Sequence, residues 1–104
     1  MIKATITRDK IGNISGFTVT NHGDSLVCAA VSMLVLNTVN SLEAFAEDDF
    51  HCDYNEEGGF LAFALKNPAT GSCCAQTLLN ALALGLSSTN EQYAGSIKIR
   101  NIIS

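Results

Sequence analysis

The stretch ISGFTVTNHGDSLVCAAVSMLVL, residues 14–36, changes its hydrophobic period midway and so divides into a strand and a helix. In residues 14–20 apolar and polar side chains alternate, which is typical of a half-buried strand. Residues 21–25 (NHGDS) interrupt this pattern. From Leu26 to about Phe45 the apolar side chains recur at helical spacing, which predicts a helix.

This predicted helix is apolar nearly all round, because Ala29, Ala30, Met33 and Leu36 lie off its main apolar face. Such a helix is buried on more than one side, either between a sheet and a second helix or between a sheet and a partner subunit. The main face is predicted to consist of Val27, Val31, Leu34, Val35, Thr38, Leu42 and Phe45.

The flanking sequence repeats the strand and helix patterns. Alternation predicts strands at residues 2–7, 50–54 and 60–65, with a hairpin loop at 9–13 and a tight turn at 56–59. A second helix is predicted from about Ser72 to Thr89, and a last strand contains Ile97, Ile99 and Ile102. The apolar stripe of this second helix is predicted to be Cys74, Leu78, Leu82 and Leu86.

The predicted element order is therefore β-β-α-β-β-α-β over one domain, residues 1–104. Two hairpins that are each followed by a helix favour an α+β fold. We expect one mostly antiparallel sheet with both helices packed on one face.

Composition and charge exclude several classes of function. The chain has 104 residues, is 47% hydrophobic and carries a formal net charge of −4. This charge argues against direct nucleic acid binding, which requires a basic face. The sequence opens directly into a strand-like pattern, and no run approaches the ~20 apolar residues of a membrane span. We therefore expect a cytoplasmic protein without a membrane segment.

The four cysteines do not have the spacing of a zinc site, so we predict no metal and no cofactor. Cys52 and Cys74 lie on predicted apolar faces and are interpreted as core thiols. Cys73 is one step off its stripe, so partial exposure is expected. His51 lies on the face of its strand opposite to Cys52 and is interpreted as solvated.

The strand-to-helix junction, residues 21–28, carries the strongest candidate for chemistry. Asp24 or Ser25 is predicted to cap the helix. With Ser25 as the cap, Cys28 is the third helical residue, where unpaired N–H groups and the helix dipole favour a thiolate. His22 then has the position of a base that takes and returns a proton. The same N–H groups are candidates to stabilise an oxyanion, and Gly23 allows close approach of a substrate.

Plainer interpretations stay open on the residue types alone. Cysteine is among the most buried residues, so Cys28 also fits a role as a small core side chain. His22 also fits a capping or surface-loop histidine. Asn21 and Asp24 are both near enough to orient His22, and the sequence favours neither.

Several motifs together resemble the ribosomal-processing cysteine protease family, Prp, over essentially the whole chain. Besides the element order, the motifs are MIKA at residues 1–4, VCAAVS at 27–32 behind His22, NSLE at 40–43, YNEEGG at 54–59 and the region of Tyr93.

The resemblance implies a cytosolic, homodimeric cysteine endopeptidase that removes an N-terminal extension from a large-subunit ribosomal protein, the twenty-seventh in the standard naming. It further implies that Cys28 is the nucleophile and His22 the general base. We expect the flanking Asn21, Gly23 and Ser25 to contact the substrate. A basic ribosomal protein also suits the acidic balance of the chain.

The chain departs from the family pattern at three points of this junction. Asn21 replaces a glycine before the histidine, the loop between His22 and Cys28 is several residues shorter, and Ser25 stands where an aspartate is usual. These departures motivate one alternative, a ribosome-associated binding module with weakened catalysis. A second alternative, a structural dimerisation domain, is supported by the first helix, which is apolar nearly all round.

Overall fold

The computed structural model describes residues 1–55 and 59–104. Its elements follow the predicted order, which confirms the β-β-α-β-β-α-β assignment. They are β1 (Ile2–Arg8), β2 (Ile14–Thr20), α1 (Ser25–Phe45), β3 (Phe50–Tyr54), β4 (Phe60–Leu65), a 3₁₀ turn (Pro68–Thr70), α2 (Cys73–Gln92) and β5 (Ile97–Ile103). Residues 56–58 of the predicted tight turn lie outside the described residues.

The five strands form one sheet in the order β3-β4-β2-β1-β5. Three of its pairings are antiparallel, and only β1 with β5 is parallel, which confirms the mostly antiparallel sheet. Thr20 at the end of β2 lies opposite Phe60 at the start of β4. This register brings the residues after β2 beside the residue that precedes β4.

One face of the sheet forms the core together with both helices. Alternate residues of β1 (Ile2, Ala4 and Ile6) are at most 3% exposed. Across β2 and β4, the rings of Phe17 and Phe63 stack with their centroids 5.0 Å apart. The period-two pattern of the strands therefore identified the buried face correctly.

The buried face of α1 agrees with the prediction except at its C-terminal end. Val27, Val31, Val35, Thr38 and Leu42 are buried, and Leu34 packs partly against the core. Phe45, which was predicted to be buried, is 73% exposed. The helix ends there, and the extended residue Ala46 packs against the core instead.

The stripe predicted for α2 is shifted. Its buried residues are Ala75, Leu79, Leu82 and Leu86, so the interpretation of Cys74 as a core thiol is wrong. Cys74 is exposed: the buried stripe begins with Ala75 and Leu79, one residue later than predicted, and then coincides with the prediction at Leu82 and Leu86. The helix also passes through Gly85, where a Cβ would lie 2.9 Å from Leu34 Cδ2 of α1. Glycine thus permits the two helices to pack closely.

By length and composition alone, α1 meets the requirement for a membrane-spanning helix, contrary to the sequence expectation. It has 21 residues and a mean hydropathy of 1.7. A single helix of this kind is weak evidence for a membrane span, since the core helix of a soluble protein passes the same test. In this chain one face of α1 is buried in the core.

Candidate active site

The chain leaves β2 through a left-handed residue. Asn21 has φ +71°, and its backbone N–H donates to the carbonyl oxygen of Gly59 at 2.9 Å. Asparagine is one of the few residues other than glycine that adopt this conformation at small cost. Asn21 therefore retains a backbone geometry that suits the glycine of the family pattern, and it directs His22 toward Gly59.

The start of α1 is set by Asp24 rather than by Ser25. The carboxylate of Asp24 accepts a hydrogen bond from the N–H of Leu26 at 3.0 Å, and its carbonyl accepts from the N–H of Cys28 at 2.8 Å. Ser25 is the first helical residue and Cys28 the fourth, not the third. The amides of Leu26 and Cys28 are thus already bonded, so neither is a free donor for an oxyanion.

The sulfur of Cys28 contacts the backbone of Gly23. The N–H of Gly23 points at Sγ with an N···S distance of 3.2 Å, and the carbonyl of Gly23 lies 3.6 Å from the same sulfur. Cys28 is half-buried in the first turn of α1. The helix dipole favours a negative charge only within this turn.

His22 and Cys28 line one cavity of about 470 Å³. Its floor is apolar and comes from β1, β2 and α1, while the second hairpin supplies Tyr54 and Phe60. The remaining lining residues are Ile2, Val19, Asn21, Ala29, Val31, Ser32, Val35, Leu36, Asn55, Gly59 and Leu61. A largely apolar hollow with a few polar groups at one end is typical of a ligand site.

The other predicted site residues differ in whether they reach the cavity. Asn21 lies in the cavity with His22 and Cys28. Gly23 reaches the site through its backbone at the sulfur. Ser25 is exposed at the first turn of α1, outside the set of described residues that line the cavity. The carboxylate of Asp24 is committed to capping the helix.

Sequence reasoning missed two residues of the cavity, Ser32 and Gly59. Ser32 lies one helical turn beyond Cys28, so helical spacing was a usable signal for it. Gly59 was interpreted only as part of a turn. Its contact with the site depends on the pairing of β2 with β4, which has no local signal in the sequence.

The remaining thiols differ from Cys28 in their surroundings. Burial, and secondly the negative charge of Asp53, raise the pKa of the Cys52 thiol, which opposes formation of a thiolate. Cys73 and Cys74 are exposed at the start of α2. Within residues 1–55 and 59–104, no group of three or more His, Cys, Asp or Glu side chains is arranged to hold a metal ion.

A histidine and a helix-start cysteine on one peptide-sized cavity are the arrangement of a cysteine-dependent hydrolase. The family model described as cysteine protease Prp matches residues 1–98 of this chain. The chain therefore belongs to the Prp family of cysteine proteases.

Relatives agree with this family, and solved structures share the fold. A ribosomal processing cysteine protease Prp from Bacillus subtilis is 30% identical, with 99% of this chain and 100% of the relative covered. One from Staphylococcus aureus is 24% identical over 95% of this chain and 97% of the relative. The S. aureus protease Prp with a covalently linked product peptide matches the fold with a TM-score of 0.89 at 22% identity, covering 97% of this chain and 99% of the other. A Streptococcus mutans protein has a TM-score of 0.84 at 28% identity, covering 100% and 99%.

Proposed function

We propose that this protein is a cysteine endopeptidase that removes the N-terminal extension of a large-subunit ribosomal protein, the twenty-seventh, in the cytoplasm. The observation that carries the proposal is the position of His22 and Cys28 on one cavity, in a chain of the Prp family. Curated relatives of the chain are named as ribosomal processing proteases. The net charge of −4 suits a basic ribosomal substrate.

In the proposed mechanism His22 accepts the proton of the Cys28 thiol. The thiolate attacks the scissile carbonyl carbon, and the resulting C–S bond gives a tetrahedral oxyanion. His22 then donates its proton to the leaving amine nitrogen as the C–N bond breaks. A water molecule, deprotonated by His22, attacks the thioester carbon, which releases the carboxylate product and returns the proton to sulfur.

Gly23 supplies the proposed oxyanion donor. Its N–H faces the sulfur at 3.2 Å in the free protein, so it lies next to any carbonyl carbon that becomes bonded to that sulfur. As negative charge moves from sulfur to the carbonyl oxygen, the same N–H is available to the oxygen. Among the N–H groups at the start of α1, those of Leu26 and Cys28 are already bonded within the helix cap.

Cleavage of a peptide that spans the extension tests the proposal. Cys28→Ala and His22→Ala should each lower kcat/KM by at least about 10²-fold, the contribution typical of a nucleophile or a general base. Cys73→Ala is the matched control, because Cys73 is an exposed thiol outside the cavity. It should cleave at the unaltered rate. Cleavage by Cys28→Ala at that rate would exclude Cys28 as the nucleophile.

The second candidate is a ribosome-associated binding module with weakened catalysis. The short segment between His22 and Cys28 favours it, and the alignment to the B. subtilis relative extends over 112 positions against 104 residues here. This candidate predicts that the peptide binds without turnover and that iodoacetamide reacts slowly with Cys28. The alkylation rate should be measured with Cys73 and Cys74 changed to serine, since both thiols are exposed.

We also propose that the protein is a homodimer, as the family resemblance implies. Support comes from the outer side of α1, where Leu26 is 58% and Met33 is 70% exposed. These two residues are seven positions apart and so share one side of the helix. The same surface supports the third candidate, a structural dimerisation domain.

A further inference from the structure

We propose that Gly59 is a positioning residue for His22: the absence of a side chain at position 59 sets where the imidazole lies in the cavity. The inference rests on the proposed function, since it assigns a partner to the proposed base. It concerns a residue that the sequence places in the YNEEGG motif and assigns only to a turn.

The backbone brings Gly59 and His22 together through the pairing of β2 with β4. Thr20 and Phe60 are opposite each other in this pairing. One step beyond it, the N–H of Asn21 donates to the carbonyl of Gly59 at 2.9 Å. The left-handed turn at Asn21 then places the next side chain, His22, over the Cα of Gly59.

The contact leaves no room for a side chain at position 59. A Cβ built on Gly59 would lie 2.7 Å from Nε2 of His22, 3.3 Å from Cδ2 and 3.5 Å from Cε1. The first distance is well below a van der Waals contact, and all three atoms belong to the imidazole ring. The imidazole of His22 therefore occupies the space that a side chain at position 59 would need.

The positive φ of Gly59, +85°, does not by itself account for this arrangement. Gly12 has φ +95° and Gly95 has φ +76°, so all three glycines adopt the left-handed region. At Gly12 and at Gly95 an added Cβ would meet nothing within 4 Å. Only at Gly59 does the same substitution meet a candidate catalytic side chain, and this difference separates positioning from backbone strain.

The ring, not the backbone, should yield to an added Cβ. His22 is exposed, and its imidazole is the far end of a side chain that can change rotamer. A substitution at position 59 therefore displaces the base while the sheet keeps its pairing. Since a displacement of about 1 Å at a reacting group can cost about 10²-fold in rate, a methyl group should suffice to impair catalysis.

The test compares Gly59→Ala with Gly12→Ala and Gly95→Ala. All three should shift the urea midpoint by similar amounts, because all three place a Cβ at a positive φ. Only Gly59→Ala should lower kcat for the spanning peptide, by about 10- to 100-fold with little change in KM. The pH dependence of Cys28 alkylation in Gly59→Ala should also approach that of His22→Ala.

A double-mutant cycle tests whether Gly59→Ala lowers activity through His22. Adding Gly59→Ala to His22→Ala should cause no further loss, because the base that Gly59 positions is already absent. Gly59→Asn provides a second variant, since asparagine tolerates a positive φ but still carries a Cβ. It should be folded like the parent and impaired like Gly59→Ala.

The inference and the proposed function fail in different ways. If His22→Ala is inactive while Gly59→Ala and Gly59→Asn cleave like Gly12→Ala, the positioning role is overturned and the dyad stands. Full additivity in the double mutant would also overturn it. If His22→Ala retains full activity, the proposed base is wrong, whatever Gly59 does.

Discussion

At the scale of single residues, Asn21 adopts a backbone conformation that the glycine of the family pattern also accepts. The family pattern has a glycine before the histidine, and this chain has an asparagine with φ +71°. Both residue types adopt the left-handed region, for different reasons: glycine has no Cβ, and asparagine bonds locally with its short polar side chain. Asparagine is therefore compatible with the left-handed turn that carries His22 in this chain.

This reasoning predicts opposite outcomes for two substitutions at position 21. Asn21→Gly should change the free energy of unfolding by less than about 0.5 kcal/mol, since glycine also accepts the conformation. Asn21→Val should lower it by about 1–2 kcal/mol, the cost of a left-handed residue with a branched Cβ. Urea unfolding followed by circular dichroism measures both. Equal stability of the two variants would contradict the role assigned to the backbone at Asn21.

At the scale of elements, each helix begins at a residue whose side chain accepts an N–H bond. Asp24 caps α1 and Ser72 caps α2, where the Ser72 hydroxyl accepts from the N–H of Ala75 at 3.1 Å. Ser72 also donates to the Asp48 carboxylate through its hydroxyl and through its N–H, the latter at 2.8 Å. These two bonds lower the pKa of Asp48, the side-chain bond contributing most.

Ser72→Ala should therefore lower the free energy of unfolding by about 1 kcal/mol at pH 7, the usual cost of removing a serine cap. The loss should also depend on pH. Because the folded-state pKa of Asp48 is lowered, its bonds to Ser72 stabilise the fold above the unfolded pKa of about 3.9. That contribution disappears as the pH falls through the folded pKa.

Urea midpoints at pH 7 and at about pH 3 measure this dependence. The difference between the parent and Ser72→Ala should be larger at pH 7. Asp48→Asn is the matched control, because it removes the titrating group and keeps a side-chain acceptor for Ser72. Adding Ser72→Ala to that variant should give a loss that varies much less with pH.

At the scale of the whole molecule, the sheet defines where the cavity lies, and the outer side of α1 presents an exposed apolar surface. The parallel pairing of β1 with β5 completes the sheet at the edge opposite β3, and the cavity lies at the end of β2 between α1 and the second hairpin. On the outer side of α1, Met33 is 70% exposed and separate from the cavity lining among the described residues. This surface is the one we assign to the second protomer.

Sedimentation velocity at micromolar concentration should give a dimer for the parent chain. Met33→Glu should shift it to a monomer, because a carboxylate is costly to bury without a partner in an apolar interface. Leu84→Glu is the control, since Leu84 is a comparably exposed apolar residue of α2 at 69% exposure. Dimers that persist in Met33→Glu and dissociate in Leu84→Glu would place the interface on α2 instead.

Local patterns determined the elements of this protein. Period-two alternation in residues 2–7 and helical spacing after Leu26 arise from the geometry of neighbouring residues, so the sequence alone identified the strands, the helices and their order. The same patterns failed at Phe45, where the helix ends, and at Cys74, because helical spacing alone does not define which residue begins the buried stripe. The resemblance in residues 27–32 pointed to Cys28 for a similarly local reason.

Only the tertiary structure decided the sheet order, the parallel partner of β5 and the surroundings of His22. These depend on which strands pair, and residues that pair lie far apart in the sequence. Gly59 shows the difference most clearly. Its sequence context indicates a turn. Gly59 and His22 are 37 positions apart in the chain, and only the pairing of β2 with β4 brings them together.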